Sequence, residues 1–211
     1  MQRVVDFLRF REAVDHVLGV RDRNLIQLLY LTASRPSEIC TRTTPSELRN
    51  QTSKPYGRSM GWTLGRFKKE KDTLLINVAL AKKRQSLPSH KIIALPINTS
   101  FEPWVFDLLK RLSLNKKLEF DLTRVSVNNI VKENLSPLLG RNVRAKDLRH
   151  LRLEHLATLY DFDPYDLEAV AGIYFHKELI AGTLSVEKIE VYMELAWKRY
   201  FPKLLKPISE L

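Results

Sequence analysis

A chain of 211 residues with apolar residues spread along its length can bury a core of its own, and 35 Lys and Arg against 24 Asp and Glu leave a formal net charge of +11. That excess points to a polyanionic partner, while the single cysteine, Cys40, excludes an intrachain disulfide and a multi-cysteine zinc site. No apolar run approaches the ~18–20 residues of a membrane span, and Arg3, Asp6, Arg9, Arg11 and Glu12 interrupt any signal-peptide core. A cytoplasmic protein, nucleoid-associated or in the cytoplasm of a host cell, working without metal or cofactor and away from membranes, is the expectation.

Taken in chain order, helical periodicity opens the sequence, with Val4, Val5 and Leu8, then Val14, Val17 and Leu18, then Leu25, Ile26, Leu28 and Leu29. Pro36 with Glu38 two residues later predicts a new helix from about Arg35. Thr44 and Glu47 stand at capping-box spacing and repeat the start signal. Met60–Phe67, Thr73–Leu80 and Lys91–Ile97 are short, rich in β-branched or aromatic residues and separated by charged or Pro-containing turns, which predicts a small three-stranded antiparallel sheet. Helical patterns return at 101–113, 126–139, 145–160, 164–180 and 185–200. The fold class is mainly α with one inserted sheet at 60–97, in one domain over 1–211.

Three groups of residues carry candidate chemistry. Arg35 stands at a predicted helix junction, where a guanidinium can offer a fork of donors to a phosphate; the plain alternative is a surface arginine paired with Glu38. Lys146 and Arg149 are neighbours on one helical face, with Leu148, Leu151, Leu153 and Leu156 to anchor it, although Asp147 and Glu154 also allow a salt-bridged surface helix. Tyr192 lies downstream of both, in a stretch that also reads as an ordinary core helix, and Tyr200 is a rival for its role.

Leu28–Ile39, with Arg35 and Glu38 three apart, and Lys146-Asp147-Leu148-Arg149-His150 resemble the two arginine boxes of the tyrosine recombinases, the phage-integrase-like enzymes. The resemblance spans roughly residues 20–200, and lysine at position 146 is similar to integrases of archaeal viruses and plasmids. It implies a catalytic domain that cleaves and rejoins double-stranded DNA through a 3′-phosphotyrosyl intermediate. Arg35 and Arg149 then clamp the non-bridging oxygens, Lys146 contacts the phosphate or assists proton transfer, and Tyr192 attacks. A hairpin lysine, Lys82 or its neighbour Lys83, protonates the leaving 5′-oxygen. Where the family has His or Trp after a glycine, Gly182 is followed by Thr183; an earlier Gly172 with His176 nearby is the alternative match. The family's DNA-clamping domain has no counterpart within residues 1–20.

Lys68, Lys69, Lys83, Arg84, Arg141 and Arg144 are the expected DNA-backbone contacts, each in a basic cluster that met singly reads as a solvated face. The segment from Trp197 to Leu211 either joins protomers in a tetramer on DNA, as the resemblance implies, or folds back on its own domain. The competing functional readings are a basic DNA-binding protein without activity and a type IB topoisomerase-like nicking-closing enzyme.

Overall fold

The computed structural model describes residues 5–40, 67–70, 73–80, 90–97, 104, 105, 108, 120–173 and 195–206. The start signal at Thr44–Glu47, Lys82, Lys83, Arg84, His176, Gly182, Thr183 and Tyr192 lie outside the described residues.

Helix α1 (Phe7–Asp15) buries Phe7, Phe10, Ala13 and Val14, one stripe at helical spacing. Helix α2 (Val20–Leu31) differs in kind: every residue from Asn24 to Leu31 is buried, so it is a core helix packed on all sides. It lies against α1, α4 (Arg124–Leu139) and α5 (Ala145–Leu159). Between α2 and the sheet comes α3 (Pro36–Ile39), a single turn with Arg35 at its N-cap and Pro36 pre-setting its first residue. Helix α4 begins where Thr123 Oγ1 accepts the Ser126 N–H at 3.1 Å and ends at Gly140, which takes the left-handed conformation. Helix α6 (Pro164–Ala171) follows α5, capped by Asp163, whose carboxylate accepts the Asp166 N–H.

The sheet is antiparallel in the order β1 (Phe67–Glu70), β2 (Thr73–Ala79), β3 (His90–Pro96). Its first strand falls later than the expected Met60–Phe67; residues 60–66 lie outside the described residues. Glu70 pairs with Thr73, leaving a two-residue connection, so hairpin closure puts Lys68, Lys69 and Glu70 in a strand despite their turn-like composition. On β2, Leu74, Ile76 and Val78 are buried while Asn77 is exposed, the period-2 pattern of a half-buried strand. Their partners on β3 are Leu95, Ile93 and Lys91 in that order. A lysine therefore occupies the last place in an inward row of aliphatic side chains.

One buried cluster runs from α1 through α2, the sheet, α4 and α5 to the C-terminal segment. That segment is helical at 195–200 and continues as a 3₁₀ turn, Phe201–Leu205. It is folded on its own chain. Tyr200 is fully buried, its hydroxyl accepting the Ala94 N–H at 2.9 Å and donating to the Ile92 carbonyl, which covers the outer edge of β3. Arg199 and Lys203 both bond the buried Asp166 carboxylate at 2.7 Å. Among the described residues no helix is long and apolar enough to cross a membrane.

Candidate functional site

Two helices end at the same place, and both end in the same way. After α2 the Ala33 N–H bonds the Tyr30 carbonyl and the Ser34 N–H bonds the Leu29 carbonyl, the paired bonds of a Schellman turn. Ala33 takes the left-handed position with φ +45°, where glycine is usual, at a steric cost of about 1–2 kcal/mol. After α6 the same bonds run from Gly172 to Ala169 and from Ile173 to Glu168. Gly172 has φ +64°, and a Cβ there would lie 2.5 Å from Leu80 Cδ2 and 3.1 Å from Lys91 Cδ, so both the backbone and the close approach require glycine.

A Schellman turn closes on the carbonyls two and three residues back from the helix end and leaves the last ones without backbone partners. Side chains supply those partners here. Arg149, from α5, donates through Nη1 to the Ala33 carbonyl at 2.6 Å and through Nη2 to the Ala171 carbonyl at 2.7 Å. Lys91, from β3, donates through Nζ to Thr32 at 2.7 Å, Ala33 at 3.2 Å and Val170 at 2.8 Å. Both cations thus meet the negative ends of two helix dipoles.

Arg35 stands beside them at the start of α3. The carboxylate of the fully buried Glu38 accepts from the Arg35 backbone N–H at 2.8 Å and from Nη1 at 2.7 Å, so the anticipated ion pair is present at the helix junction. The Arg35 side chain remains 23% exposed. Among the described residues, the Arg35, Lys91 and Arg149 cations share the carboxylate of Glu38. Burial, with the nearby Arg149 and Arg35 charges and against the pull of Glu38, lowers Lys91 to about 7. Burial and then Arg35 lower Arg149 to about 10, again against Glu38.

Of the anticipated site residues, Arg35 and Arg149 come together around the Ala33 turn. Lys146 lies in the first turn of α5 and is exposed, whereas Arg149, three residues on, is turned inward onto backbone carbonyls. Arg144 is the exposed N-cap of α5, its N–H bonded to Asp147, and Arg141 is partly buried just before it. Lys68 and Lys69 are placed on β1. Tyr200, the rival nucleophile, is a core residue: burial raises its hydroxyl well above the ordinary value and its oxygen is committed to β3. Two participants escaped the sequence reading. Lys91 was signalled by its register with Ile93 and Leu95, an inward position at which a charge needs an explanation. Gly172 stands in the sequence only as an alternative match, and the α6 end before it carries the Ala171 and Val170 carbonyls that Arg149 and Lys91 bond.

No family model and no curated protein matches the chain. Solved structures do match in fold. An integrase from mycobacterium phage Brujita has a TM-score of 0.59 at 14% identity over 97% of this chain and 58% of its own. The XerH site-specific recombinase bound to a palindromic difH substrate, in a post-cleavage complex, gives 0.50 at 15% identity over 91% of this chain and 48% of its own. The pre-cleavage XerH complex gives 0.50 at 14% identity over 88% and 47%. The chain thus spans about half the length of the proteins it resembles. Its mainly helical architecture with a small antiparallel sheet is similar to the fold of this integrase and of XerH.

Proposed function

We propose that this chain cuts and rejoins DNA at specific sites as a tyrosine recombinase, with Tyr192 as the nucleophile. The observation that carries the reading is the gathering of Arg35, Arg149 and Lys91 around one turn with Glu38 as their shared counter-charge. Uncompensated buried charge is costly and is kept where an anion is to be held.

In this reading a DNA phosphate sits against the guanidiniums of Arg35 and Arg149, which neutralise charge on the non-bridging oxygens as phosphorus becomes five-coordinate. Tyr192 loses its proton to solvent, the surrounding cations favouring the phenolate; its oxygen forms a bond to phosphorus as the bond from phosphorus to the 5′-oxygen breaks, and that oxygen takes a proton from Lys82 or Lys83. The 3′-phosphotyrosyl bond conserves the energy for rejoining, and attack by a 5′-hydroxyl reverses each step. Lys146 contacts the phosphate from the exposed start of α5. Duplex DNA is held by Lys68, Lys69, Lys83, Arg84, Arg141 and Arg144, and protomers assemble on it. Thr183 stands where relatives of this fold carry His or Trp, unless Gly172 marks that place.

The test is covalent trapping on a nicked, labelled duplex from the protein's own locus, resolved on a denaturing gel. Wild type should yield a protein–DNA adduct and Tyr192→Phe none, with equal DNA binding by both. Salt-sensitive binding without an adduct from wild type supports the non-catalytic DNA-binding reading instead.

A further inference from the structure

We propose that Lys91 is a positioning residue for the arginine pair: its ammonium ties the end of α2 to the end of α6 and thereby fixes the Ala33 carbonyl on which Arg149 is seated. The inference rests on the functional reading above for its consequence, while its structural content stands on the contacts alone.

An ammonium has three donors and no acceptor, and all three Lys91 donors are taken by carbonyls, of Thr32, Ala33 and Val170. The side chain is fully buried. It cannot hand a proton to a leaving oxygen without leaving this seat, which separates its role from that of a proton-donating hairpin lysine. What it does hold is the turn shared by both arginines. Ala33 is in the left-handed conformation and has little of glycine's ease there, so its carbonyl stays aimed only while the surroundings hold it. Lys91 and Arg149 together bridge the α2 and α6 ends, and Arg35 leaves the same turn two residues later.

Among the described residues, the charged groups facing Lys91 are Arg35 and Glu38 from the α2–α3 junction and Arg149 from α5. From α6 it meets the Val170 carbonyl, with Gly172 just beyond, and from β2 its paired residue is Val78. Its lowered affinity for a proton means that the third hydrogen bond and the charge are lost as pH rises through about 7.

The experiment reads Arg149 directly as well as activity. The Arg149 guanidinium signal in ¹⁵N spectra, assigned by its loss in Arg149→Lys, should be resolved and slowly exchanging in wild type at pH 6. In Lys91→Met, shown folded by circular dichroism, it should merge with the mobile arginines. Adduct formation should fall by about tenfold or more, with DNA affinity within about twofold, as expected when transition-state alignment alone is lost. Should Lys91→Met fail to fold, the wild-type Arg149 signal followed from pH 6 to pH 8 replaces it and should broaden across that range. An Arg149 signal unmoved by either change overturns the proposal. Absence of any adduct from wild type refutes the functional reading and leaves the spectroscopic result to decide the role of Lys91.

Discussion

Two polar clusters are built between the same two helices, α2 and α5, and they are resolved in opposite ways. At one, Tyr30 donates to His155 Nδ1 at 2.8 Å and His155 Nε2 donates to the Val5 carbonyl at 2.9 Å. A carbonyl only accepts, so Nε2 carries a proton, and burial favours the neutral ring that leaves Nδ1 to accept from Tyr30; Phe7 and Tyr30 meet it edge-on. Burial lowers the proton affinity of His155, and Arg152 adds to that against Val5 and Asp6. The Tyr30 hydroxyl and the imidazole find their partners without a charge on the ring, and the one cation beside them among the described residues, the buried Arg152, lies over the Tyr30 ring at 5.1 Å. At the other, six residues earlier on α5, Arg149 joins Lys91 and Arg35 with Glu38 as the one balancing carboxylate among the described residues. The first cluster holds α1 on the core. The second gathers cations that also close two helix ends, and it is the one proposed above to take a phosphate.

The largest expected effect falls on the charged cluster. Arg149→Ala should slow adduct formation by roughly 10²-fold or more, the scale of a lost transition-state donor, measured as a single-turnover rate at saturating DNA. A smaller effect separates the C-terminal segment from both clusters. Tyr200→Phe leaves the Ala94 N–H buried without its acceptor and should lower unfolding free energy by about 1–3 kcal/mol in denaturant melts, with any adduct retained. A rate lost in step with Tyr192→Phe would restore Tyr200 as a candidate nucleophile.

The smallest effects are in pH dependence, and both have the same sign. His155 and Lys91 bind protons less readily folded than unfolded, so each makes stability rise with pH. For His155 the gain is complete above the ordinary value of 6.5 and is lost as pH falls below it. For Lys91 the rise runs from about 7 toward 10.5. Thermal melts of His155→Gln should therefore flatten the acid limb alone and those of Lys91→Met the alkaline limb alone. Flattening of the wrong limb breaks the comparison.

The parts of the molecule set by local pattern were legible in the sequence. The expected helices at 126–139 and 145–160 correspond to α4 and α5, because their apolar residues recur at helical spacing. Pro36 and Glu38 marked α3 for the same reason. What depends on distant partners was not legible. The carbonyls that receive Arg149 lie 116 and 22 residues away, so the inward turn of its side chain follows from two helix ends meeting rather than from its own helix. Tyr200 finds its acceptor and donor on a strand more than a hundred residues earlier. Lys91 is the intermediate case: period 2 puts it in line with Ile93 and Leu95, but only the meeting of α2 and α6 shows what it bonds.

The most direct measurement of the difference between the clusters compares Arg149→Lys with His155→Gln, both in single-turnover adduct rate and in melting temperature. Lysine keeps the charge but not the two-pronged geometry. The account predicts a rate loss of about 10²-fold for Arg149→Lys at matched DNA occupancy, and for His155→Gln a lower melting temperature with the rate within about twofold. Equal rates for wild type and Arg149→Lys, or a catalytic loss confined to His155→Gln, would contradict the assignment of the cationic turn as the phosphate site.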